Sequence, residues 1–173
     1  MKNYLWIFLI PVLFVAQSCQ ETIDIEDDKK AVIAVNEEER DAYFDRNLAR
    51  LEAIWVQELT SQRIFSTTSL NGWNQIRENY EESINDAEQM EEMEDITASF
   101  SNYVINIYDN TALVYHDIQW TGKIGDVAID EKQNRIVHLV KVDGSWKIDL
   151  IVQLSVPDGF EDSEITVSPE DNN

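Results

Sequence analysis

The chain has two histidines, His116 and His138, and simple alternation along their segments can place both on one face of a sheet. Two imidazoles close together near neutral pKa could relay protons or share a metal. The same residues also fit half-buried strand histidines bonded to neighbours or turned to the outside. Three tyrosines, Tyr43, Tyr80 and Tyr103, could donate to a developing oxyanion, and Tyr43 stands with His116 and His138 as a candidate catalytic residue. The candidate carboxylates are weaker: Glu58 closes a turn that reads as surface, and Asp149 reads as the partner of Lys147 or Lys141 on a wet face. Asp117 points away from His116 on a regular strand. No H-E-x-x-H or paired-cysteine spacing exists, so no metal site is expected. The acidic run from Asp24 to Asp28 lacks the glycine and ligand spacing of a calcium loop. No G-x-S-x-G, phosphate-cradling loop or dinucleotide fingerprint occurs among only five glycines, so no cofactor is expected.

Aromatic rings carry more information than these polar groups. Trp55, Trp73, Tyr80, Trp120 and Trp146 all fall on apolar faces. Large rings usually belong to the core. Trp146 is read as core, whereas Trp55, Trp73, Tyr80 and Trp120 are equally candidates to line the mouth of a cavity and touch an apolar or planar ligand.

The elements that position these residues change period once. Ala31 to Arg46 carries Val32, Val35, Ala42 and Tyr43 at near-helical spacing, with Glu37 to Arg40 as the wet part. Asp45 and Asn47 read as breaker and cap. A second helix follows with Leu48, Leu51, Trp55 and Leu59 on one face. After a short extended piece from Arg63 to Thr67, Asn71 can cap a third helix lined by Trp73, Ile76, Tyr80, Ile84 and Ala87. The charge cluster Glu88 to Asp95 reads as a solvated helix end or loop. From Ile96 the period is two, and its phase slips between Phe100 and Tyr103, the signature of a bulge that bends a sheet. Strands are then expected over Thr111 to Lys123, Arg135 to Val142 and Trp146 to Val156, with Asp143-Gly144 as a tight turn. Helices grouped ahead of strands predict an α+β domain, a bent antiparallel sheet roofed by three helices around a pocket.

The ends read differently. The run YLWIFLIPVLFVA after Lys2 is shorter than the roughly 20 apolar residues that a spanning helix needs, and it ends in small residues, as a secretory signal does. Cys19, the single cysteine, closes the stretch Ala16, Gln17, Ser18, Cys19, which resembles the lipobox of bacterial lipoproteins. That resemblance implies cleavage before Cys19, acylation of its sulfur, and an address in the cell envelope as an outer-membrane lipoprotein, on the periplasmic side or the cell surface. Several acyl chains anchor stably where one holds only marginally. A soluble exported protein cleaved nearby is the alternative. Residues 19–30 are expected to be an acidic tether, in which Glu26, Asp27 and Asp28 resemble the surface-export signal of some lipoproteins of the Bacteroidetes type or are simply a solvated linker. Residues 31–156 form the domain, and the acidic tail 157–173 is expected to be loose.

Thirty-four acidic against 13 basic side chains give a net charge of −21, and removal of residues 1–18 takes away Lys2 and makes it −22. This charge repels nucleic acid and anionic lipid surfaces. With 43% apolar and 10% aromatic residues, the chain is too apolar for an acidic disordered segment and supports one domain with a core.

The stretches NGWNQIRENYEE (Asn71 to Glu82), ALVYHDIQWTGK (Ala112 to Lys123) and RIVHLVKVDGSWKI (Arg135 to Ile148) resemble NTF2-like proteins, in particular the SnoaL-like or DUF4440-like branch. The resemblance implies a cone with a cavity over about residues 30–156, often dimeric through the outer sheet face, and no single activity. Many relatives carry histidines four and six residues after the hairpin tryptophan. Here those places are Leu150 and Val152, so the expected pocket is largely apolar and suited to a small apolar ligand or a protein partner. A proton-transfer or hydration enzyme, or a structural subunit with a filled cone, are the alternatives.

Overall fold

The computed structural model describes residues 25–65, 67–89 and 93–156. Its elements are α1 (Ile25–Phe44), α2 (Leu48–Ile54), β1 (Gln62–Phe65), β2 (Thr68–Asn71), α3 (Trp73–Gln89), β3 (Met93–Tyr108), β4 (Thr111–Ile124), β5 (Val127–Val142) and β6 (Ser145–Ser155). The six strands form one sheet in the order β2-β1-β6-β5-β4-β3. All neighbours are antiparallel except β1 and β6, which run parallel. The expected α+β architecture of three helices on a bent sheet is present, enlarged by the β1–β2 ribbon.

Helix α1 starts earlier than its apolar spacing implies. Residues Ile25 to Lys30, expected as tether, are its first turns. Glu26, Asp27 and Asp28 sit where the positive end of the helix dipole favours carboxylates, and Lys29–Glu26 and Lys30–Asp27 pair at i, i+3. The buried face is Asp28, Val32, Asn36, Glu39 and Ala42. Its period is helical, but three of its five members are polar, which hides it from a search for apolar stripes. Glu39 therefore belongs inside, not to the wet part of the helix. Asp28 accepts from Lys141 Nζ at 2.6 Å and Trp146 Nε1 at 2.9 Å, so it fastens α1 to the β5–β6 hairpin.

Asn47 caps α2 as expected, its side chain accepting from Arg50 N at 3.1 Å. This helix ends at Ile54, short of the expected extent. Trp55 is already extended and bridges Ile148, and Val56 N donates to Ile148 O at 2.8 Å, while Leu59 is exposed. In α3, Trp73, Ile76, Tyr80 and Ile84 form the buried face that the sequence predicts.

The sheet is bent by irregularities in three places. Between Ser101 and Val104 the β3–β4 register shifts, with Asn102 at φ 55, which is the expected phase slip. A second shift lies between Glu94 and Thr97, with Asp95 at φ 52. Opposite it, a Cβ on Gly122 would meet the Ile96 backbone at 2.8 Å, so only glycine permits this approach. The third is in β6: Leu139 pairs with Ile148 but His138 with Leu150, leaving Asp149 as an extra residue. The expected loop before Arg135 is instead the outer arm of a long β4–β5 hairpin. Asp143 and Gly144, both at positive φ, make the predicted two-residue turn. Leu51, Trp55, Tyr80, Ile76, Val114, Val137, Leu139, Ile148 and Ile151 fill the space between helices and sheet.

Candidate functional site

A cavity of about 170 Å³ opens at one end of the cone, lined by Glu39, Arg40, Tyr43 and Phe44 of α1, Arg63 of β1, Ala98 and Phe100 of β3, Trp120 of β4, Arg135 of β5 and Gln153 of β6. Strand register explains the convergence. His116, Arg135, Gln153 and Phe65 form one row across β4, β5, β6 and β1 on the inner side of the sheet. The extra residue Asp149 reverses the phase of β6 behind it. Ile151 and Gln153 consequently point inward, while Leu150 and Val152 turn to the outer face. The expected apolar lining by Leu150 and Val152 is thereby overturned, and the pocket wall is charged and aromatic.

Glu39, 3% exposed, organises the floor. Its Oε1 accepts from the Tyr80 hydroxyl at 2.6 Å and its Oε2 from Arg135 Nη1 at 2.7 Å. Arg135 Nη2 donates to Gln153 Oε1 at 2.7 Å. Gln153 Nε2 and Trp120 Nε1 both donate to Gln133 Oε1, the latter at 3.0 Å. One hydrogen-bonded chain thus runs from the core ring Tyr80 to the mouth ring Trp120. Burial pushes the Glu39 carboxyl up, but the charges of Arg135 and Arg63 and the Tyr80 hydrogen bond outweigh it and hold Glu39 below the usual range. Burial drives the Tyr80 phenol far upward and raises Tyr43 as well.

Above the floor the guanidinium groups lie against rings. Arg63 sits 4.4 Å from the Tyr80 centroid and 5.2 Å from that of Phe65, and its Nη1 donates to Asn79. Arg40 and Arg135 approach the Phe100 ring at 5.0 and 5.5 Å. Phe44 packs on Trp120 with centroids 6.0 Å apart.

The two histidines are separated by the sheet. His116 is fully buried on the inner face, between Phe100 at 4.5 Å and Tyr103 at 5.0 Å. Burial, reinforced by the Arg135 charge, pushes its pKa down to about 4. Its Nε2 and the Tyr103 hydroxyl lack a hydrogen-bond partner among the described residues. His138 pairs in register with Leu113, on the outer face, with Nδ1 3.3 Å from Asp149 Oδ2. The expectation of a histidine pair on one face is therefore overturned: each strand alternates regularly, but the cross-strand register sets the two histidines apart. Glu58 is exposed and lies away from the cavity.

Of the rings singled out in the sequence, Trp120 lines the cavity and Tyr43 joins it. Trp55 packs against Trp73 and Tyr80 in the core, at 6.2 and 6.3 Å between centroids, and none of the three lines the mouth. Glu39, Arg40, Arg63, Arg135 and Gln153 also line the cavity, although none of them stands out in the sequence as a site residue. For Arg135 a signal was present: it shares its strand face with Val137 and Leu139, and a lone arginine on an apolar face marks a paired buried charge. Among the described residues no group of three or more metal-ligating side chains occurs. No helix among them is long and apolar enough to cross a membrane, and Cys19, the apolar run before it and the acidic tail lie outside the described residues.

No protein-family profile matches the chain. No curated protein matches it either. Solved structures do match. An NTF2-like protein from Cytophaga hutchinsonii superposes with a TM-score of 0.58 at 15% identity, over 74% of this chain and 98% of that one. A member of the NTF2-like family from Streptomyces avermitilis, proposed to be a dehydratase, gives 0.66 at 13% identity over 77% and 99%. An NTF2-like superfamily protein from Salmonella enterica gives 0.63 at 14% identity over 80% and 98%. The fold is the NTF2-like cone.

Proposed function

We propose that this chain is a binding module: an NTF2-like cone of the SnoaL-like or DUF4440-like branch that takes a small ligand at its open end. The observation that carries this reading is the state of the titratable groups in and beside the cavity. Glu39 is ionised and held by two hydrogen bonds, one from the Tyr80 hydroxyl and one from the Arg135 guanidinium, which makes it a poor base. His116 is neutral and sealed between two rings, and His138 is on the other side of the sheet. Groups so engaged orient a ligand better than they move protons.

A hydration or proton-transfer reading draws on the dehydratase proposal for the Streptomyces structure and would rest on Tyr43, whose hydroxyl-bearing ring lines the cavity. Burial raises its pKa, which suits a hydrogen-bond donor more than a base.

The module is carried at the cell envelope by acylated Cys19, the support being the lipobox-like stretch ending there. It pairs with a second copy through the outer sheet face. Val104, Tyr115, Ile136 and Val152 form an apolar row across four strands there, and Leu113 and Leu150 extend it.

Mass spectrometry of natively purified protein tests both parts together. Acylation at Cys19 and a retained small molecule are expected. Cys19→Ala is expected to leave the membrane fraction; a variant that still partitions with membranes refutes the anchor, and turnover abolished by Tyr43→Phe would replace binding with catalysis.

A further inference from the structure

We propose that the cavity selects a small monocarboxylate with a flat apolar body, an aromatic acid being the chemical class that fits. This inference rests on the binding reading and names the ligand's charge and shape.

Three guanidinium groups, of Arg40, Arg63 and Arg135, face this cavity against one carboxylate, Glu39. In a chain of net charge −21 that local excess of cations is the reverse of the surroundings. Neighbouring carboxylates cancel this excess only in part. Arg40 pairs with Asp41 at 2.7 Å and Arg135 with Glu39 at 2.7 Å, but Arg63 has no salt-bridged carboxylate among the described residues. Arg135, 4% exposed, keeps a buried Nε without an acceptor among them. A guanidinium offers a planar fork that matches a carboxylate bidentately. Arg63 and Arg135 are also oriented before any ligand arrives, by the Tyr80, Phe65 and Phe100 rings and by Asn79, Glu39 and Gln153.

The remaining wall selects the body. Tyr43, Phe44, Phe100 and Trp120 surround the opening with ring surface. At about 170 Å³ the space is below the roughly 300 Å³ of ordinary small-molecule pockets, so a compact acid fits and a steroid-sized one does not. Glu39 in the floor disfavours a second negative charge, which directs the choice to monoanions. Repulsion from the acidic surface is screened over about 8 Å at physiological salt, whereas the sheltered guanidiniums act at contact range.

The test is calorimetric titration of the full chain with benzoate and 1-naphthoate, beside benzamide, 1-naphthamide and phenyl phosphate. The acids are expected to bind about tenfold or more tightly than their amides and than phenyl phosphate. Arg63→Met is expected to erase the preference for acid over amide, and Arg63→Lys to retain part of it, with thermal unfolding showing that both variants fold. Amides binding as tightly as acids, or an acid preference that survives in Arg63→Met, overturns the anion inference and leaves the pocket reading standing. Phenyl phosphate binding more tightly than benzoate overturns the restriction to monocarboxylates. No binding of any probe at millimolar concentration overturns the inference together with the pocket reading.

Discussion

His116 and Arg135 face each other directly across the β4–β5 ladder, and both are buried on the inner side of the sheet. The pairing fixes the charge state of the imidazole. Removed from water and set beside a permanent cation, His116 holds its proton only below about pH 4. An unfolded histidine takes a proton near pH 6.5. Between these values the unfolded chain binds more protons than the folded one, so stability is full above about pH 6.5 and is lost as pH falls toward 4. The whole loss from this group is about 3 kcal/mol. Urea unfolding at pH 7.0, 6.0 and 5.5, above the range where most carboxylates titrate, is expected to show the decline in the wild type and its absence in His116→Phe. An equal decline in both would assign it to other groups.

Glu39 and Arg135 are separated by 96 residues in sequence yet meet at 2.7 Å with their side chains only 4% and 5% exposed. A buried pair of this kind is costly to break on one side, because the surviving charge stays desolvated. Arg135→Met and Glu39→Met are each expected to destabilise the domain by about 3–5 kcal/mol. The double variant should lose much less than the sum, and chemical denaturation of all four proteins reads the coupling. Strict additivity would mean that the two groups do not act as a pair.

How much of this was legible in the sequence follows from where apolar periodicity carries information. The face of α3, the Asn47 cap, the bulge after Ser101 and the Asp143-Gly144 turn are local signals, and each is found where the sequence places it. The polar face of α1 gives no apolar stripe, so Asp28, Asn36 and Glu39 were invisible as buried residues until their partners on distant strands were known. The extra residue Asp149 interrupts an otherwise regular alternation without any glycine or proline to announce it. That single residue inverted the inner and outer assignments of Leu150 to Gln153. Cross-strand register, which separates His116 from His138, is likewise a property of the assembled sheet and not of either strand.

Asp28 offers a direct measure of how firmly α1 is clamped. Its carboxyl is held below the ordinary range by the Lys141 hydrogen bond, against the opposing effect of burial, and it also accepts from the Trp146 indole. Asp28→Ala removes a charge-assisted bond and leaves the indole donor unsatisfied, an expected loss of about 2–4 kcal/mol. Asp28→Asn keeps an acceptor for Trp146 and is expected to lose less. Hydrogen exchange should show faster opening of the first turns of α1 in both. Unchanged protection there would mean that the N-terminal turns are held by something other than this residue.

The outer sheet face supplies the last prediction. Val104 is 56% exposed and Tyr115 and Ile136 each 37%, and their register with Val152 makes one continuous apolar strip. Contiguous apolar surface of this kind on a sheet is commonly covered by a partner. In a two-fold pairing every substitution enters the interface twice, and Ile136→Lys would bring two ammonium groups together in an apolar contact. Sedimentation velocity at micromolar concentration is expected to show a dimer for the wild type and a monomer for Ile136→Lys, with benzoate binding at the cone mouth retained because Ile136 is on the opposite side of the sheet. A wild-type chain that sediments as a monomer across the concentration range would leave that strip without the occupant proposed for it, and the ligand site would stand alone.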